Sequence, residues 1–296
     1  MVMVRPEVRD ALDRRRPVVA LESTLIAHGL PWPVNVETAL AAEAAVRAEG
    51  AVPATIAVLA GAPVVGLSAD EINALGQNRD VLKASRRDLA AAMAQGKTAA
   101  TTVAATVFLA HRAGIHVFAT GGIGGVHRGA EATFDISADL LEIARTPVCV
   151  VCAGAKSILD IPKTLELLEA LGVPVIGYRT DSFPAFYVRS SGLPVAARVE
   201  SPEYAATLAR THFGLGGGGL LLAQPVAEDV ALSEAEFVAA FAEAERAVGE
   251  VRGPALTPAL LAKLAEVTAG RSLTANRELI LANARLAARV ARCFSI

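Results

Sequence analysis

Ile115-His-Val-Phe-Ala-Thr-Gly-Gly-Ile-Gly-Gly-Val-His-Arg-Gly129 and Val148-Cys-Val-Val-Cys-Ala-Gly-Ala-Lys156, with Thr133-Phe-Asp-Ile-Ser-Ala-Asp139 between them, decide the fold. Ile115–Ala119 and Val148–Cys152 are short apolar runs that predict strands, and each passes directly into small and polar residues. In open α/β sheets, ligands bind beyond the carboxyl ends of the strands. A glycine-rich segment, a carboxylate pair and a lone lysine are therefore expected at one mouth. That set suits a phosphorylated substrate, a hard metal ion and amine chemistry.

Outward from this segment, apolar β-rich runs alternate with amphipathic helical ones. Strands are predicted over Pro17–Leu21, Ala54–Ala60, Pro174–Gly177 and Gly219–Ala223. Helices are predicted over Val34–Glu49, Asp70–Leu75, Arg86–Gln95, Val103–Ala113, Ser137–Ala144, Pro162–Leu171 and Pro202–His212. From Glu234 onward the pattern is helical only, over Glu234–Gly249, Thr257–Thr268 and Thr274–Cys293. The alternation predicts a three-layer α/β/α fold with a mostly parallel central sheet and helices on both faces. The helical C-terminal region is expected to pack on that sheet. No long linker, repeat or low-complexity tract divides the 296 residues, so one domain over 1–296 is expected.

Hydrophobic residues make up 53% of the chain and aromatics 4%, so the core is built mainly of Ala, Val, Leu and Ile. A net charge of -2 and a pI near 6.2 argue against a polynucleotide partner. The residues up to Arg16 are charged and lack the apolar core of a signal peptide. No apolar run reaches the roughly 18 residues of a membrane span. Three cysteines suit a reducing cytoplasm better than a disulfide scaffold. Cys149 and Cys152 lie inside a strand-like run at a spacing that points them to opposite faces, so a buried-core role is expected.

Lys156 is the first candidate for chemistry. Its small neighbours leave room for a substrate, and a partly buried amine is a nucleophile once neutral. The alternative is a surface lysine at a helix start. Glu22 closes a strand and suits general acid or base work, or else it caps a turn with Ser23 and Thr24. Asp135 and Asp139, four apart, share a face if the segment is helical, and their oxygens suit Mg²⁺ or Mn²⁺. Equally, Asp135 caps the following helix. Gly121–Gly129 offers backbone N–H groups as an anion cradle, though neither nucleotide fingerprint is matched. His127 within it is a donor or base, or simply a loop histidine. Lys83-Ala-Ser-Arg-Arg-Asp88 reads as a phosphate clamp or as a solvated basic turn. Thr101, Thr102 and Val103 open a helix and can face an anion. His111, His116 and His212 are expected to be structural, and His28 is left open.

These residues fall in motifs that resemble one known family. The motifs are Val19-Ala-Leu-Glu-Ser-Thr24, Gly50-Ala-Val-Pro-Ala-Thr55, Ser85-Arg-Arg-Asp88, Ala100-Thr-Thr-Val-Ala104, Phe118 to Ala130, and Val151-Cys-Ala-Gly-Ala-Lys-Ser-Ile-Leu-Asp160. The chain resembles the pseudouridine-5′-phosphate glycosidases, or pseudouridylate synthases, together with related indigoidine-locus proteins, from Pro17 to about Ala288. The resemblance implies a lyase-class glycosidase that reversibly cleaves the C–C glycosidic bond of pseudouridine 5′-phosphate to uracil and ribose 5-phosphate. It implies a divalent metal, typically Mn²⁺, and a homotrimer of α/β/α subunits. Residue by residue it makes Lys156 the Schiff-base lysine, Glu22 the proton donor and Asp135 the metal ligand. Lys83, Val103, Ser137, Ala138 and Asp139 match substrate-contacting positions. Thr120, His127 and Asn276 border the site.

Three other expectations compete with this one. A family member acting on another C-nucleoside phosphate in secondary metabolism keeps the same residues. A Schiff-base sugar-phosphate aldolase shares the lysine but usually needs a β/α barrel and no metal. A non-catalytic binding protein has no need of a nucleophilic lysine.

Overall fold

The structure is a computed structural model that describes residues 2–249, 251 and 256–294. Eleven strands form one connected sheet: β1 Met3–Val4, β2 Val18–Leu21, β3 Val52–Leu59, β4 Ala62–Val65, β5 Leu82–Ala84, β6 Ala99–Thr101, β7 Val117–Ala119, β8 Cys149–Cys152, β9 Val175–Tyr178, β10 Ala197–Val199 and β11 Leu220–Ala223. The order is β1-β4-β3-β2-β7-β8-β11-β9-β10, and β6 also pairs with β3 and carries β5. Pairing is parallel except where β3 meets β4 and β6. The β3–β4 hairpin turns through Ala60 and Gly61, both at positive φ (46° and 82°), as a tight turn matched to the strand twist demands.

The middle strands are apolar and buried along their whole length, which a parallel sheet covered on both faces requires. Cys149 and Cys152 are free thiols in this layer. Burial pushes each thiol up to about 12, so neither is a thiolate at neutral pH.

The register then places the site. Leu21 pairs with Ala119, Ala119 with Val151, and Cys152 with Ala223. Strands β2, β7, β8 and β11 thus end side by side, and the residues after them share one rim. The helix Arg271–Phe294 lies across the helices Val34–Ala48 and Pro202–Gly214 and touches β2, β7 and β8. The C-terminal region therefore packs onto the sheet, as expected. Among the described residues, no helix is long and apolar enough to cross a membrane.

Several elements depart from the sequence pattern. The helix Pro6–Asp13 goes unpredicted although Val8, Ala11 and Leu12 form a narrow apolar stripe; Pro6 starts it, and Val8 and Ala11 are buried. Arg86–Asp88 makes a tight turn before a shorter helix, Leu89–Ala94. The helix expected from Ser137 runs over Ala138–Arg145, with Ser137 as its cap.

Candidate active site

A cavity opens at the rim and takes in Glu22, His28, Lys83, Thr120, Lys156 and Asn276 among its lining. Each of the first five leaves a different piece of backbone. Glu22 follows β2, and its carboxylate accepts the hydroxyls of both Thr24 and Thr120. The adjacent Ser23 bonds across the sheet instead, its buried hydroxyl accepting the Thr101 N–H at 2.8 Å. Glu22 itself lines the cavity. The chain then makes a widened helical turn over Leu25–Gly29, a form that recurs at functional sites, and this turn carries His28.

Lys156 is half-buried in the loop after β8. Its N–H donates to Ile123 at 3.1 Å, and its carbonyl accepts from Leu159 at 3.0 Å. The next helix, Ile161–Ala170, begins only after Asp160, which caps it through the Lys163 N–H. Lys156 is therefore a loop lysine held from both sides, not a helix-start lysine.

Lys83 lies on β5, exposed by area yet lining the same cavity. Desolvation, reinforced by the charge of Lys156, draws its ammonium below the ordinary lysine value, while Asp139 and Glu22 oppose that pull. The phosphate clamp expected from Lys83 to Asp88 does not form as three cations. Arg86 is turned away, its Nη1 donating to both Glu142 carboxylate oxygens (2.8 and 2.9 Å) and its guanidinium lying over the Phe108 ring. Arg87 is exposed beside Asp88. Lys83 alone reaches the cavity.

The expected carboxylate pair also separates. Asp135 precedes the helix, so Asp135 and Asp139 share no helical face. Asp139 is buried, and each of its oxygens accepts a backbone N–H at 2.9 Å, one from Ala104 and one from Gly124. It ties the glycine loop to the start of the helix Val103–Ala113. The glycines themselves are packing devices more than an open cradle. The Ile123, Gly124, Val126 and His127 N–H groups already donate to protein acceptors. A Cβ on Gly124 would stand 2.2 Å from the Ser137 hydroxyl, and one on Gly122 2.5 Å from the Phe186 ring.

The remaining candidates sit one layer out from the lining. Val103 is the buried first residue of its helix, behind the Thr102 cap. Ser137 caps the next helix, and Ala138 is exposed at its first position. His127 and Asp135 face each other across a loop bridge: His127 N–H donates to the Asp135 carbonyl at 3.0 Å, and its Nδ1 is 3.9 Å from the Asp135 carboxylate. Burial holds the His127 imidazole below its usual value. Asp135 opposes this, and Lys156 and Lys83 reinforce it, which places His127 within electrostatic reach of both amines.

Among the described residues, no three His, Cys, Asp or Glu side chains gather in a way that would hold a metal. Asp135 offers a partly exposed carboxylate with His127 beside it. That donor set fits a largely hydrated hard cation held through one carboxylate, and it does not fit a closed structural site.

Two contributors carry no local sequence signal. Asn283 is buried on the last helix and donates to the carbonyls of Thr120 (2.9 Å) and Gly121 (3.4 Å). It lies seven residues from Asn276, hence on the same face. Phe186 comes from the loop after β9 and lines the cavity.

The family model described as indigoidine synthase A like protein matches residues 7–293. A pseudouridine-5′-phosphate glycosidase of Caldanaerobacter subterraneus subsp. tengcongensis is 57% identical over 288 residues, 96% of this chain and 94% of that one. One from Methylobacterium nodulans is 57% identical over 289 residues, 97% of this chain and 86% of that one. The crystal structure of the prealnumycin C-glycosynthase AlnA in complex with ribulose 5-phosphate matches with a TM-score of 0.92 at 45% identity, covering 100% of this chain and 97% of that one. An indigoidine synthase A-like protein from Thermotoga maritima also matches at 0.92, with 36% identity and the same coverage. With the match running almost from end to end, the chain belongs to the indigoidine synthase A-like family.

Proposed function

We propose that this protein reversibly cleaves the C–C glycosidic bond of pseudouridine 5′-phosphate, giving uracil and ribose 5-phosphate. One observation carries the proposal. An amine and a carboxylate, Lys156 and Glu22, line one cavity with a second, phosphate-suited cation, Lys83. Two relatives that bear this activity's name are each 57% identical over nearly the whole chain.

The chemistry explains the residue types. An ordinary nucleoside leaves through nitrogen, which a proton can activate. Here carbon C5 of uracil must leave. The Lys156 amine attacks C1′, the bond from C1′ to the ring oxygen breaks, and that oxygen takes a proton. The nitrogen lone pair then forms the C=N bond as the C1′–C5 electrons pass to C5, which is protonated. Water adds to the imine, ribose 5-phosphate departs and the amine is restored. Glu22, oriented by the Thr24 and Thr120 hydroxyls, moves the protons. Lys83 holds the phosphate. Val103, Ser137, Ala138 and Asp139 shape the wall behind it. Asp135 would hold a hydrated divalent cation such as Mn²⁺ or Mg²⁺, which would supply positive charge near the phosphate.

A homotrimer in a reducing cytoplasm completes the proposal. All three cysteines being free thiols fits that compartment. A second reading, C-glycoside formation on a different carbon nucleophile, draws on the 45% identity to a C-glycosynthase. Turnover of pseudouridine 5′-phosphate, followed as uracil released, decides between them. Activity that vanishes in Lys156→Ala supports the proposal, and unchanged turnover in that variant removes it.

A further inference from the structure

Phe186 is a bulky residue held where bulky residues rarely go. Its φ is +62°, in the left-handed region. The surrounding loop over-determines that conformation. Phe186 N–H donates to the Ala153 carbonyl at 2.9 Å. Ser157 donates its hydroxyl to the Ala185 carbonyl at 2.6 Å and accepts the Tyr187 N–H at 3.3 Å. Gly154 leaves room for the Pro184 carbonyl, where a Cβ would stand 1.9 Å away. The loop that carries Phe186 is thus bonded on both sides of Lys156, to the Ala153 backbone and to the Ser157 hydroxyl.

Core packing alone would not require such a conformation, since the neighbouring Tyr187 is equally buried on ordinary backbone. The distinctive property of Phe186 is that its ring reaches the cavity wall. It lies against Gly122, with no side chain between ring and loop. The next glycine, Gly121, faces Ile280 and the Asn276 amide oxygen. One end of the cavity therefore offers an aromatic ring, an aliphatic side chain and an amide that both donates and accepts. Lys83 supplies a cation elsewhere in the lining. An aromatic face beside an amide suits a planar heterocycle with N–H and C=O groups on its edge.

We infer that Phe186 is the specificity-determining wall for the aglycone, the surface on which the planar base lies while Lys156 holds the sugar. This rests on the proposed reaction, and the sugar and base can be tested apart. The variants are Phe186→Leu, which removes the ring, and Phe186→Tyr, which keeps it. For each, the thermal midpoint, the KM values for uracil and ribose 5-phosphate in the synthetic direction, and uracil binding by equilibrium dialysis are measured. Borohydride trapping of ribose 5-phosphate, which needs no base, is run beside them.

In Phe186→Leu, KM and Kd for uracil should rise about tenfold, the size of a lost base–aromatic stack. Trapping and the KM for ribose 5-phosphate should stay within about twofold, and Phe186→Tyr should restore uracil affinity. Unchanged uracil affinity in Phe186→Leu would overturn the inference. So would an equal loss for both substrates, which marks a purely structural residue. Wild-type protein that fails to trap the sugar removes the proposed reaction instead, and the dialysis result alone then decides on Phe186.

Discussion

The side-chain amide of Asn283 donates to the main-chain carbonyl of Thr120 at 2.9 Å. Thr120 in turn donates its hydroxyl to Glu22. A residue near the end of the chain thus positions, through one intermediary, the carboxylate that follows β2. Replacing Asn283 with Ala leaves the Thr120 carbonyl buried without its donor, at a cost of about 1–3 kcal/mol. The thermal midpoint should fall and turnover with it. A variant with native stability and native activity would show that the bond contributes nothing.

Thr120→Val separates positioning from folding. It removes one of the two hydroxyls that hold Glu22 while keeping shape. Turnover should fall about tenfold to a hundredfold, below the roughly hundredfold to ten-thousandfold that a fully lost acid–base group costs, because Thr24 still holds Glu22. The thermal midpoint should move much less than in Asn283→Ala. Equal loss of stability in both variants would contradict a positioning role.

Asp139 should behave as a structural clamp. Asp139→Ala leaves the Ala104 and Gly124 N–H groups without acceptors in the interior. Each orphaned donor costs about 1–3 kcal/mol. Denaturant unfolding should show the loss of both, with activity declining as the glycine loop loosens. Full stability with lost activity would instead mark Asp139 as a direct substrate contact.

Acid should weaken the fold through His28. Burial, and then the Lys83 charge, hold its imidazole below the ordinary 6.5, against the pull of a hydrogen bond to the Leu82 backbone. As pH falls, the unfolded chain therefore takes up this proton before the folded one does. The contribution is complete above about 6.5 and is lost as the pH drops through the lower folded value. His28→Gln should lose less stability than the wild type between about pH 7 and pH 5. Identical slopes for the two proteins would contradict this.

Much of the fold is legible because strands such as Val148–Cys152 stand out as continuous apolar runs and helices such as Val103–Ala113 carry their own caps. The short strands Leu82–Ala84 and Ala99–Thr101 are not, since three residues hold no period. At the site, residue type and position point to Glu22, Lys83 and Lys156, the family resemblance adds Thr120 and Asn276, and the structure brings all five to one cavity. What the sequence did not show was how its polar groups divide their partners. Asp139 takes up the Gly124 N–H, and Arg86 is taken by Glu142. Such pairings join residues 15 and 56 positions apart, beyond the reach of local pattern. Phe186 and Asn283 escaped for the same reason, because their roles exist only after the sheet has closed.

The most direct test is covalent trapping. The protein is incubated with Mn²⁺ and ribose 5-phosphate, reduced with borohydride, digested and mapped by mass spectrometry. The expected result is a reduced pentose phosphate on Lys156 and none in Lys156→Ala. An adduct on another lysine, or no adduct on protein that turns over pseudouridine 5′-phosphate, would contradict the Schiff-base account.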